Sequence, residues 1–119
     1  MARTFKVRSS DRDAQTDRDR FGSLARSINT TVEAVRAERD ALRLRVDEAR
    51  DRAALAAGTG VDEYLSRDAE DAAQLRAYEQ QMVAGDRRIG ELERQLEGLN
   101  TLSEVYDRFF TALTSAKGG

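Results

Sequence analysis

Carboxylates and hydroxyls are the side chains of this sequence that could do chemistry, because it contains no cysteine and no histidine. That composition removes thiolate nucleophiles, imidazole bases and the usual zinc ligands. Hydroxyl groups therefore lack the base that most often activates them, and metal binding would depend on carboxylates alone. The sequence predicts no catalytic residue, no cofactor site and no metal site, and we expect a protein that is not an enzyme.

An acidic cluster near the middle of the chain is the strongest candidate for a metal site, and its members are Asp62, Glu63, Asp68, Glu70 and Asp71. Di-metal helical bundles combine glutamates with Glu-x-x-His elements, and calcium loops of the EF-hand kind need a glycine within an acidic run. The cluster has neither feature. We interpret it as negative charge near a helix N-terminus, where such charge stabilises the helix dipole.

Aromatic residues are concentrated in one stretch near the C-terminus, Val105-Tyr106-Asp107-Arg108-Phe109-Phe110. Aromatic anchors often dominate the binding energy of protein interfaces. Aromatic residues at helical spacing also form helix cores, which is the more common case. Both interpretations stay open. The predicted partner-binding residues are Phe5, Val7, Val105, Tyr106, Phe109 and Phe110.

The first nine residues form a basic arm with the cations Arg3, Lys6 and Arg8. Basic and apolar residues alternate there over too short a distance for an independent strand, so we expect residues 1–9 to be flexible or docked. Uncancelled positive charge binds nucleic acid, but acidic residues interrupt the basic run after Arg8. A nucleic-acid-associated coiled coil that uses this arm is one alternative, and the leading interpretation includes no nucleic-acid partner.

Two long helices are the elements that must position these residues. The 119 residues include no proline, 35% of them are charged and 6% are aromatic, which is typical of long helices with narrow cores. Apolar residues recur every three or four positions, as in coiled coils. The predicted fold class is all-α, a long antiparallel helical hairpin with a coiled-coil seam. Consecutive steps of four at Leu24, Ile28 and Val32 predict a stutter.

The turn of the hairpin is predicted at residues 58–60, because Gly58 and Gly60 can end one helix before the next begins. The predicted two-helix domain, residues 10–117, then contains helices at 10–57 and 61–116. This turn sets a register in which apolar residues face each other. The expected pairs are Leu42 with Leu75, Val35 with Met82, Ile28 with Ile89 and Phe21 with Leu96.

Two helices with a narrow seam bury little surface. Further packing would be needed to bury the apolar residues beside the seam, which include Val83, Leu102, Val105 and Phe109. We therefore predict a homodimer that forms a four-helix bundle. The second helix also contains Gly85, Gly90 and Gly98, each costing about 1 kcal/mol relative to alanine. Its middle should be its weakest stretch unless a partner helix packs closely over those glycines.

The leading interpretation is a non-enzymatic structural or adaptor coiled-coil protein that mediates protein–protein interaction, as a homodimer and with another protein whose identity the sequence does not give. No stretch approaches the roughly 18 apolar residues of a membrane span, and the first ten residues lack the apolar core of a signal peptide. Absence of cysteine fits a reducing compartment. We therefore expect a cytoplasmic protein with no membrane span.

One stretch of the second helix carries a family resemblance. The residues Gln74-Leu75-Arg76-Ala77-Tyr78, followed by Ile89, Leu92 and Leu96, are similar to the second helix of flagellar and type III export stalk proteins. Those proteins are helical hairpins of comparable size. The resemblance covers residues 74–96 and implies an export stalk or chaperone role as a further alternative.

Overall fold

A computed structural model describes the backbone of residues 2–63 and 69–118 and the side chains of residues 9–57 and 69–115. Within these ranges it contains two helices, α1 (Ala2–Glu63) and α2 (Ala69–Gly118), and no strand. The helices pack against each other as an antiparallel hairpin, which confirms the predicted all-α fold class. Dimerisation into a four-helix bundle stays a prediction. No helix in the described part is both long and apolar enough to cross a membrane.

The helices begin and end at residues other than the predicted ones. α1 begins at Ala2, so the backbone of the predicted basic arm, residues 1–9, is helical from its second residue. α1 also continues through the predicted turn at 58–60 and ends at Glu63, and α2 begins only at Ala69 and ends at Gly118. Glycine lowers helix propensity, but unlike proline it keeps its N–H and does not clash with the preceding turn, so two glycines need not end a helix.

The helical pair divides into two compact units. The terminal unit comprises Met1–Glu33 and Glu97–Gly119, and the central unit comprises Ala34–Leu96. Each unit therefore contains one segment of α1 and one segment of α2. The predicted two-helix domain, residues 10–117, is thus divided between them.

The buried core of the central unit is a narrow seam. Four hydrophobic side chains in the described part of the chain are buried, and all four belong to this unit: Val46, Ala49, Leu92 and Leu96. The two residues on each helix are three or four positions apart, which places them on one helix face. Leu92 is the most enclosed, with 1% of its surface exposed. The spacing of the seam is the one that the sequence predicts.

The register between the helices is not the predicted one. Gly85 lies directly against Val46, because a Cβ atom built on Gly85 would collide with Val46 Cγ2. The predicted register places Val46 about two heptads nearer the start of α2. The terminal unit shows the same difference, since Phe21 contacts Phe109 rather than Leu96. The other predicted pairings are wrong for the same reason: Leu42 with Leu75, Val35 with Met82 and Ile28 with Ile89.

The difference in register follows from where the chain reverses. The predicted reversal is at 58–60, whereas the helical backbone of α1 extends to Glu63 and α2 begins at Ala69. The chain therefore does not reverse at 58–60, and the described backbone of α1 continues past that point. A later reversal places each residue of α1 opposite a residue nearer the C-terminus of α2.

The stutter also differs from its predicted position. Leu24 is 48% exposed, while the next residue, Ala25, is half-buried. Half-buried positions of α1 in this region include Asp17, Phe21 and Ala25, so the consecutive steps of four fall there rather than within 24–32. Since two steps of four rotate the inward-facing line around the helix, Leu24 leaves the seam and Ala25 enters it.

Among the described residues of the central unit, ion pairs cross between the helices at two places. Arg43 Nη2 lies 2.6 Å from Glu93 Oε1, and Arg88 donates to Glu38 from Nε at 2.9 Å and Nη2 at 3.3 Å. Arg88 Nη1 also donates to Glu91 at 3.1 Å. The hydrogen bonds from Arg88 hold the pKa of Glu38 below its ordinary value of 4.5. These side chains are about half-exposed, and exposed ion pairs add little to the free energy of unfolding. We therefore infer that the pairs help to fix the register between the helices more than they stabilise the fold.

Candidate interaction surface

Four aromatic side chains of the terminal unit are linked by contacts, and we call them the aromatic cluster: Phe21, Tyr106, Phe109 and Phe110. The rings of Phe21 and Phe109 meet edge to face, with centroids 5.2 Å apart and planes at 69°. The rings of Tyr106 and Phe110 are stacked at 5.7 Å with planes at 10°. The Tyr106 hydroxyl donates a hydrogen bond of 2.9 Å to the Phe21 carbonyl oxygen. The Phe21–Phe109 ring contact and the Tyr106 hydrogen bond therefore fasten α2 to α1, while the Tyr106–Phe110 stacking lies within α2.

The predicted binding stretch of α2 faces in two directions. Tyr106 and Phe110 are half-buried, whereas Val105 and Phe109 are each 49% exposed. The two interpretations of the sequence therefore apply to different residues of the same stretch. Tyr106 and Phe110 are partly shielded within the helix pair, and Val105 and Phe109 are more exposed. Partner binding by all four residues stays a prediction.

Phe109 belongs to a second apolar line along α2. We define the outer stripe as Gly98, Leu102, Val105, Phe109 and Ala112, all of which are exposed. Each member immediately precedes a half-buried residue of the inner line, which consists of Leu99, Ser103, Tyr106, Phe110 and Leu113. The two lines share the coiled-coil spacing of three and four residues and lie about 100° apart on the helix. α2 thus has two lines of coiled-coil spacing in this unit. α1 packs along the inner line and contacts the outer one at Phe109, through Phe21.

The same helix positions are polar in the part of α2 that immediately precedes Gly98. In the central unit they hold Arg88, Glu91 and Gln95, of which the first two bind each other. Three other large apolar side chains are exposed among the described residues of the central unit, but they are separated from one another along the chain: Leu44, Leu55 and Val83. Among the described residues, the outer stripe is therefore the line in which large apolar side chains are exposed at consecutive positions of coiled-coil spacing.

Two opposite charges near the outer stripe have no partner among the described residues. Arg108 and Glu104 are one turn apart on α2, and neither forms an ion pair with any residue of the described part of the chain. A charged side chain without a partner in its own chain is available for a pair across an interface. The charges near the stripe are therefore suited to complementary contacts.

Two of the predicted partner-binding residues, Phe5 and Val7, lie outside the described side chains, as do the basic residues of the arm, Arg3, Lys6 and Arg8. Their roles in partner or nucleic-acid binding stay predictions. Sequence reasoning did not place Phe21 at this surface. Its contact with Phe109 depends on the register, and the apolar pattern of α1 alone does not identify that partner.

Tyr106 offers a direct test of the polar contact in the aromatic cluster. We expect Tyr106→Phe to lower the free energy of unfolding by about 1 kcal/mol, because the ring is kept while one partly buried hydrogen bond is lost. The matched control is Tyr78→Phe, since the Tyr78 hydroxyl only accepts an exposed bond from Gln74. Urea unfolding of the two variants measures the difference. Equal losses would show that the bond to Phe21 adds nothing.

An open depression of about 530 Å³ lies beside Val83 in the central unit, and its described lining comes only from α2: Arg76, Glu79, Gln80, Val83, Ala84 and Arg87. One helix provides no opposing wall, so polar groups do not converge on a bound molecule there. Within the described residues, no group of three or more acidic side chains is placed to hold a metal ion. Of the acidic cluster, Asp62, Glu63 and Asp68 lie outside the described side chains.

Comparison of the chain with known protein families, with curated proteins and with solved structures gave no match. A functional assignment therefore depends on the residues and geometry of the outer stripe and the aromatic cluster.

Proposed function

We propose that this chain is a non-enzymatic structural or adaptor protein that binds other protein chains, including a second copy of itself, through the outer stripe. The supporting observation is the exposure of three large apolar residues at coiled-coil spacing, Leu102 at 55% and Val105 and Phe109 at 49% each. Continuous exposed apolar faces commonly mark interaction sites. The spacing of this one fits a helix of the partner.

Self-association would complete a core that the hairpin alone leaves thin. Only four described hydrophobic side chains are buried, and none of them belongs to the terminal unit. Covering the outer stripe with α2 of a second hairpin would bring four helices together, as in a four-helix bundle. The proposal places the protein in the cytoplasm, consistent with its lack of cysteine.

Sedimentation equilibrium tests this proposal. We expect the wild-type chain to form dimers in the micromolar range. The double variant Leu102→Asp, Val105→Asp should raise the dissociation constant by about 100-fold, because it places two charges in an apolar contact. Both substituted side chains are about half-exposed in the hairpin, so circular dichroism should show that helix content is retained.

Leu44→Asp is the matched control, because it makes the same chemical change at an isolated leucine that is 61% exposed. It should leave the dissociation constant unchanged within about twofold. A wild-type chain that remains monomeric at every concentration would reject self-association through this face. Equal weakening by Leu44→Asp and by the double variant would reject the assignment of the face.

A further inference from the structure

We propose that the outer stripe packs against the outer stripe of a second copy of this chain, with the two α2 helices antiparallel and the two-fold axis beside Val105. This inference rests on the self-association proposed above and adds the face, the direction and the residue pairs. A two-fold axis makes each contact away from the axis occur twice, so the stripe must be complementary to its own reversed order.

The outer stripe has that property. Leu102 stands three residues before Val105 and Phe109 stands four after it, while Gly98 and Ala112 each stand seven residues away. In the antiparallel arrangement Leu102 faces Phe109 of the partner subunit, and Gly98 faces Ala112 of the partner subunit. Large residues then meet large residues, and small residues meet small ones. A parallel pair would instead place the two Phe109 rings together and leave a gap between the two Gly98 positions.

Gly98 supports a close approach by another helix. A Cβ atom built on Gly98 meets nothing within 4 Å, so no contact in the described part of this chain requires a glycine there. An exposed glycine inside a helix costs about 1 kcal/mol relative to alanine. Opposite Ala112 of the partner subunit, the absence of a side chain at Gly98 would let the two helix backbones approach closely. This packing would explain a glycine at that position.

Charge favours the same direction. In the antiparallel arrangement Arg108 lies across from residues 102–104 of the partner subunit, where its long side chain reaches Glu104 of the partner subunit. Symmetry forms this pair twice. In a parallel arrangement the two Arg108 side chains would lie at the same level and repel each other. Arg108 and Glu104 form no ion pair within the described part of one chain. Dimer formation would therefore add the two intersubunit ion pairs without breaking an existing one there.

Cysteine cross-linking tests the arrangement, because the chain has no cysteine of its own and each introduced thiol is unique. Val105→Cys lies at the proposed axis and should give a disulfide-linked dimer on mild oxidation. Gly98→Cys alone and Ala112→Cys alone should not, since their copies lie about 21 Å apart along the antiparallel helices. A mixture of Gly98→Cys with Ala112→Cys chains should cross-link.

Leu44→Cys is the control for random collision. Val105→Cys should cross-link at least about ten times faster, because association raises the effective thiol concentration. Self-linking of Gly98→Cys and of Ala112→Cys would overturn the antiparallel direction. The wild-type chain could form a dimer in sedimentation while Val105→Cys cross-links no faster than Leu44→Cys. That result would overturn the proposed axis but not self-association. A wild-type monomer would remove both proposals.

Discussion

Replacing Leu92 with alanine is expected to lower the free energy of unfolding by about 2 to 4 kcal/mol, because it removes buried methyl groups and leaves a cavity. Leu92 keeps only 1% of its surface exposed. In a chain with so few buried hydrophobic side chains, that loss is a large share of the total stability. We therefore expect part of the variant population to be unfolded at room temperature.

The environment of Leu92 explains how a charged residue can occupy the seam. Gly85 of α2 lies against Val46 of α1. One heptad after Gly85 is Leu92, and one heptad before Val46 is Arg39, so these two residues lie at the same level of the antiparallel pair. The Arg39 side chain is only 22% exposed, and its Nε lies 3.2 Å from Asp40 Oδ1 at the edge of the seam. The register thus places the apolar stem of Arg39 at the level of Leu92, with the charge toward water.

Urea unfolding monitored by circular dichroism measures this effect, at one protein concentration because self-association would add to stability. Leu44→Ala is the control, since it makes the same truncation at a leucine that is 61% exposed, and it should cost less than about 0.5 kcal/mol. Equal losses for the two variants would contradict the burial of Leu92.

Alanine substitutions at two glycines of α2 are expected to change stability in opposite directions. Gly90→Ala should raise the free energy of unfolding by about 1 kcal/mol, because alanine is the better helix former. Its new methyl group would make only an ordinary contact of 3.7 Å with Arg94. Gly85→Ala gains the same propensity, but its methyl group would collide with Val46 Cγ2. Overpacking of this kind costs about 1 to 3 kcal/mol, and against the gain of about 1 kcal/mol we expect a net loss of up to about 2 kcal/mol.

Val46 cannot easily turn aside, because a β-branched side chain in a helix has one strongly preferred rotamer. Truncating it should therefore relieve the collision. In Gly85→Ala, Val46→Ala we expect a favourable coupling of about 1 to 2 kcal/mol relative to the sum of the single changes. A stabilised Gly85→Ala variant, or additive effects in the double variant, would show that the two helices do not approach closely at this level.

These glycines illustrate what a sequence pattern leaves open. The sequence identifies Gly85, Gly90 and Gly98 as weak points of a helix unless another helix packs over them. The structure places α1 against Gly85 and against neither of the other two. The choice depends on which residue of α1 lies opposite, and helix propensity carries no information about the opposite helix.

At the candidate surface, too, the sequence determines part of the arrangement and packing determines the rest. The sequence stretch Val105 to Phe110 contains both lines of α2, and helical spacing alone separates Tyr106 and Phe110 from Val105 and Phe109. Which of the two lines faces α1 is decided by packing. The role of Phe21 as the edge-to-face neighbour of Phe109 depends on packing as well.

The sequence by itself determined the all-α class, the two long helices and the three-and-four spacing of the seam, because each follows from local composition and periodicity. The antiparallel pairing was predicted from a turn at residues 58–60, and the pairing is confirmed although α1 continues through those residues. Only the tertiary structure decided the register. A heptad pattern that slides by whole heptads presents the same faces again, so apolar contact in the seam does not distinguish the registers. The position of the reversal and the long-range ion pairs do distinguish them, since sliding by two heptads, about 21 Å, would separate Arg43 from Glu93 and Glu38 from Arg88.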